Sequence, residues 1–143
     1  MSVSRAVEVI SPAPRDLWQS ALSADPTALL SHTPEWLDIL CAMERWTDAS
    51  RAYVWPSGTH LLLPMVAKRI SKFTVLEDSL PQGWGFGGLI GGGVTPEEVS
   101  TVYTDLAARQ YVRLRVCPNS LQGHAWAQAI PERGSKVNVV HRR

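Results

Sequence analysis

What most constrains this chain is how its apolar spacing changes from one end to the other: stripes spaced three and four residues apart alternate with short runs rich in β-formers. Arg5 to Ile10 predicts a short strand, which Ser11-Pro12-Ala13-Pro14 stops while offering a helix start. Leu17, Trp18, Ala21 and Leu22 then follow at helical spacing until Asp25-Pro26 ends the element. At Thr33-Pro34-Glu35-Trp36 the threonine can cap, proline suits the first helical position, and the glutamate complements the positive helix end. Trp36, Leu37, Leu40 and Cys41 form the buried stripe of that second helix.

Ala52 to Trp55 and His60 to Arg69 predict a hairpin around Pro56-Ser57-Gly58-Thr59, with Pro64 forcing a bulge or an edge because it lacks an amide proton. Phe73 to Leu76 adds a strand. Thr95-Pro96-Glu97-Glu98 has the capping-box pattern and opens a helix to about Gln110 with Val99, Val102, Tyr103 and Leu106 on its stripe. Tyr111 to Cys117 alternates, Val112, Leu114 and Val116 on one side, Arg113 and Arg115 on the other. Ser120 begins a last helix carrying Leu121, Ala125, Trp126 and Ala129; Pro131 to Gly134 breaks it, and Val137 to Val140 reads as a final strand. The order β-α-α-β-β-β-α-β-α-β predicts an α/β sandwich with a mixed sheet.

Composition narrows the function classes. A chain of 143 residues with 45% hydrophobic and 19% charged residues has enough apolar material for one domain, 1–143, whose last stretch, 131–143, is a basic terminal segment. Its net charge of +1 provides no field to gather nucleic acid or anionic lipid, so no specific nucleic-acid site is expected. Cys41 and Cys117 sit in apolar stretches as buried thiols, no run is long enough for a membrane span, and no signal peptide opens the chain; a cytoplasmic protein is expected. His32, His60, His124 and His141 are scattered, with no ligand spacing on any one element, so no metal and no nucleophile–base pair is predicted.

The compositional anomaly is Gly83 to Gly93, which holds seven of the ten glycines. Gln82-Gly83-Trp84-Gly85-Phe86-Gly87 fits the Gln/Arg-x-x-Gly-x-Gly/Ala pattern with which Gcn5-related N-acetyltransferases (GNAT enzymes) cradle the coenzyme A pyrophosphate. Gln82, Gly83, Gly85 and Gly87 are its candidate cofactor-binding residues. Such a cradle needs a helix immediately behind it, whereas the helix signal begins near Thr95 and Leu89-Ile90 reads as strand. The competing reading is a glycine-rich sheet border that lets a neighbour approach closely. Trp84, between two glycines, lines a groove or packs in the core. With Phe86, Arg113 and Arg115 it makes up the candidate substrate-binding set, the two arginines facing either an anionic ligand or solvent.

Three stretches carry a family likeness: Ser31 to Leu37, Leu62 to Arg69, and Leu80-Pro81-Gln82-Gly83-Trp84-Gly85-Phe86-Gly87-Gly88-Leu89. Over about residues 15 to 130 the chain resembles the N-terminal half of FemAB/CelD-like acyltransferases of the GNAT superfamily. The resemblance implies a three-layer sandwich with a mixed, mostly antiparallel sheet, incomplete at its C-terminal side. It also implies transfer of an acyl or aminoacyl group to an amine or hydroxyl acceptor, by a domain inactive alone. The donor would be acyl-CoA or aminoacyl-tRNA, with no tightly bound cofactor, and the acceptor a small molecule or cell-envelope precursor. The implied partner is a second GNAT-like half; separately, an exposed edge at the Val137–Val140 strand predicts that the chain self-associates. A self-contained CoA-dependent N-acetyltransferase and a non-enzymatic interaction module are the alternatives.

Overall fold

The computed structural model describes residues 7–72, 74–81, 83–109, 112–129 and 137–139. Phe73, Gln110, Tyr111 and most of the basic 131–143 segment, all assigned above from sequence, lie outside those residues. Strand β1 (Glu8–Ile10) leads into helices α1 (Arg15–Ala24) and α2 (Pro34–Glu44), the second entered through a 3-10 turn at Leu30–His32. Thr33 caps α2 by accepting the Trp36 amide, with Pro34 behind it, as the sequence predicts. Then come β2 (Thr47–Asp48), β3 (Arg51–Val54), β4 (His60–Leu63), β5 (Val66–Arg69) and β6 (Val75–Ser79). Helix α3 (Pro96–Ala107), β7 (Val112–Val116), α4 (Gly123–Ala129) and β8 (Val137–Val139) complete the order. The capping box at Thr95 and Glu98 forms in both directions, at 3.2 and 3.0 Å.

The strands divide into two sheets, β1-β3-β4 and β2-β5-β6-β7-β8, with antiparallel pairing except for the parallel neighbours β6/β7 and β7/β8. The molecule is therefore a mixed α/β sandwich with mostly antiparallel pairing. The long run predicted from His60 to Arg69 is two strands in different sheets. Pro64 supplies the reason, since without an amide proton it cannot continue a ladder. Two further differences stand out. Thr47–Asp48 pairs with Ala67 and Val66, too short a strand to leave a periodic signal, and Leu121, placed on the last helix's apolar stripe by spacing, is 73% exposed because a 3-10 turn at Ser120–Gln122 rotates it outward.

Strand alternation decides where the core lies. Tyr53, Leu61, Leu63, Leu89, Leu114 and Val116 point to one side, where α3 and α4 bury Val99, Val102, Leu106 and Trp126 against them. Their neighbours Ala52, Leu62 and Ile90 point to the other, joining Trp18, Ala21, Leu37 and Leu40 of α1 and α2. Two apolar cores flank one layer of strands, so burial of either side alone would leave the opposite face of the sheet wet.

Candidate functional site

Residues 83–93 form a strap that crosses the wedge between the two sheets. On one side Ile90 exchanges both backbone hydrogen bonds with Leu62, on the free edge of β4; on the other, Gly87 donates to the Cys117 carbonyl at 2.7 Å, just past β7. The strap lies at the carboxyl ends of the parallel strands β6 and β7, the crevice where open α/β sheets commonly receive ligands. Here the chain itself fills it.

The side chains that hold the strap come from distant elements. Ser79, the last residue of β6, accepts the Gly88 amide at 2.9 Å and donates to the Pro64 carbonyl at 2.6 Å, tying strap, β6 and the β4–β5 junction through one hydroxyl. His32 is buried and both ring nitrogens are engaged: Nδ1 accepts the Leu29 amide at 2.8 Å, which leaves Nε2 protonated and donating to the Gly87 carbonyl at 2.8 Å. Burial pushes its pKa below the ordinary histidine value, against the opposing pull of the Gly87 carbonyl and Asp25, so the ring is a neutral strut. Ser31 donates to the Phe86 carbonyl, Gln122 to the Leu89 carbonyl, and Asp25 accepts the Gly91 amide. Burial would raise the Asp25 carboxyl; hydrogen bonds from the Thr27 hydroxyl and nearby amides outweigh it and hold the group below the usual carboxylate range.

Glycine is required where these contacts are closest. A Cβ on Gly87 would overlap the Ser79 carbonyl oxygen and lie 2.6 Å from its carbon, and one on Gly88, at φ +82°, would come within 2.7 Å of Pro118 Cα. Both are far inside normal contact distance.

The candidate residues fall as follows. Trp84 is half-buried and meets Trp36 edge to face, centroids 5.8 Å apart, while its carbonyl accepts the Trp36 indole N–H at 2.9 Å. Half-buried Phe86 uses its carbonyl on Ser31. Gly83 is exposed, Gly85 (φ +95°) sits against Ser31, and Gly87 is buried; Gln82 lies outside the described residues. The Gly87 and Gly88 amides are committed to Cys117 and Ser79, and no helix opens until Pro96, whose first turn carries Glu97 and Glu98 on its positive end. Arg115 is not gathered with them, because it makes two bonds, 2.9 and 2.6 Å, to the buried Asp78 opposite it on β6. Arg113 is exposed on β7.

Cys41 is half-buried, and burial together with Asp48 and Asp38 raises its thiol pKa, so it holds no activated thiolate. Among the described residues no group of three His, Cys, Asp or Glu side chains could hold a metal ion, and no helix is long and apolar enough to cross a membrane. Beside the strap a cavity of about 320 Å³ opens between Thr27, Gly92, Gly93, Pro96, Gln122 and His124. Its walls are mostly apolar with a few polar groups, and it is open to solvent. Ser79, Gln122 and Asp25 were not singled out from sequence, since their partners lie 9 to 66 positions away and no local pattern marks them. Comparison with protein-family models, curated proteins and solved structures finds no match to the chain.

Proposed function

We propose that the chain is an acyltransferase-related domain of the FemAB/CelD kind that forms the acceptor side of a two-lobed transferase and transfers nothing alone. One observation carries this reading: in and next to the Gln82–Gly87 motif, the Trp84, Gly87 and Gly88 amides, which a pyrophosphate cradle would have to point outward, are engaged by the Pro81 and Cys117 carbonyls and the Ser79 hydroxyl. The acyl donor, acyl-CoA or aminoacyl-tRNA, then belongs to the second lobe, and an amine or hydroxyl acceptor of modest size enters the cavity beside Gly93. Transfer of this type depends on positioning and carbonyl polarisation, which a groove without a nucleophile can serve.

Two measurements on the purified chain test it. Calorimetry with acetyl-CoA at about 100 μM should give no saturable heat; a stoichiometric isotherm would sink the reading in favour of a self-contained N-acetyltransferase. Saturation-transfer NMR with small amine- and hydroxyl-bearing fragments should give signals that Gly93→Trp abolishes, since space is open at that position. Fragments that show no transfer, or transfer equally to Gly93→Trp, would remove the acceptor side.

A non-enzymatic interaction module is the second reading. It is favoured by Ile39 and Met43, 50% and 70% exposed one turn apart on α2, on the helix that carries Trp36. Concentration-dependent light scattering that Met43→Glu suppresses would support it, and a clean monomer at all concentrations would count against self-association.

A further inference from the structure

At the end of β6 opposite the strap lies a second cavity, of about 480 Å³, lined by Arg45, Thr47, Ala67, Lys68, Arg69 and Val75. Three of these six are cations and none is a carboxylate. The cavity exists because β2 is short: its pairing with β5 stops at Thr47 and Ala67, leaving no β2 residue opposite Lys68 or Arg69. Two nearby acids are occupied: Asp48 lies 3.7 Å from Arg15 and buried Glu77 pairs with Arg109, while the Glu44 side chain is exposed on the last turn of α2 and its backbone carbonyl accepts from Lys68 at 3.5 Å.

Arg45 is the telling residue. It caps the C-terminus of α2 at φ 59° and ψ 38°, a left-handed conformation that glycine or asparagine usually provides. Among the described residues no ion pair or hydrogen bond engages its guanidinium. Lys68 is steadied over the Trp46 ring at 5.4 Å, and Arg69 bonds the Lys72 carbonyl at 3.1 Å, so two of the three charges are already positioned. Charges on an open strand edge also deter sheet-to-sheet pairing, but that role needs neither a cavity nor an arginine at a helix end where glycine would be less strained.

We propose that this cavity binds a small phosphate-bearing polyanion, Arg45 and Arg69 supplying forked donors and Lys68 a point charge. The site is independent of the acceptor cavity and of the transferase reading. Calorimetry of the chain with sodium tripolyphosphate at about 50 mM salt, where screening is weak, should show one saturable site that weakens as salt is raised. Arg45→Gly should bind roughly tenfold more weakly, the effect of removing one charge-assisted hydrogen bond, and melt no lower than the parent because glycine suits the backbone there. Arg69→Gln should weaken binding similarly and carries the comparison if Arg45→Gly melts low. Ser100→Asp, the same change in net charge placed on the exposed face of α3 across the strands from α2, should stay within about twofold of the parent, as expected for a distant exposed charge. Absence of saturable binding, or a Ser100→Asp loss equal to that of Arg45→Gly, would overturn the proposal.

Discussion

Replacing Gly87 with alanine asks whether the strap is a packed part of the core or a loose border. The backbone conformation at Gly87 is not in the left-handed region, so the whole effect comes from the added methyl, which overlaps the Ser79 carbonyl oxygen. Ser79 cannot yield easily, because its hydroxyl is fixed between Gly88 and Pro64 and its backbone sits in the β6–β7 ladder. The strap must move instead, and both Gly87 hydrogen bonds move with it, the amide to Cys117 and the carbonyl to His32. Overpacking together with two weakened buried hydrogen bonds gives a loss of about 3–5 kcal/mol. Gly83→Ala is the internal control: nothing lies within 4 Å of its Cβ, and only the strain of φ +90° remains, about 1–2 kcal/mol. Urea unfolding followed by tryptophan emission should show a midpoint about 2 M lower for Gly87→Ala and a slope unchanged. Equal midpoints for the two variants would refute the claim that the strap is wedged against Ser79.

Acidification gives a second test. His32 is neutral when folded and its pKa lies below the unfolded value of 6.5, so the unfolded chain binds the extra proton and stability falls as pH drops through 6.5 toward the folded value. The unfolding midpoint should decline between about pH 7 and 5, by at most about 1.4 kcal/mol per unit for this one group, and His32→Gln should flatten the slope; a parent profile flat over that range would contradict the buried neutral ring. At the β3–α3 contact, Asp105 accepts two bonds from Arg51 and one from the Tyr53 hydroxyl. Asp105→Asn should cost about 2 kcal/mol by leaving a largely buried guanidinium short of charge, and adding Tyr53→Phe to it should cost less than Tyr53→Phe does alone. Strict additivity in that double-mutant cycle would show the three groups do not act together.

Local chemistry made much of this architecture readable. Thr33-Pro34 and the Thr95–Glu98 box fix helix starts within the chain's own first turn, and alternation at Leu114 and Val116 marks the buried face of β7, so these elements needed no tertiary information. What stayed hidden is long-range. Leu89-Ile90 looks like a strand, yet only Ile90 pairs, in a single bridge to Leu62, because the glycines on either side turn the backbone away. Three of the polar groups that seat the strap, Ser79, Asp25 and Gln122, have no motif around them, and Arg115 reads as a ligand-facing cation until Asp78 is found across the ladder. Burial of Asp78 and Glu77 on the central strand β6 follows from their arginine partners, which sequence spacing does not reveal.

The strap also bears on the order in which the molecule assembles. Its anchors join positions 55 and 66 apart in the chain, and Asn119 reaches back 92 residues to Thr27. Closing such loops costs entropy before any contact repays it, and glycine-rich backbone has more freedom to lose than most. The two groups of strands can therefore form first, with the seam between them sealing late. Damage to that seam would be felt chiefly as faster opening of the finished protein, leaving the speed of its initial collapse nearly untouched.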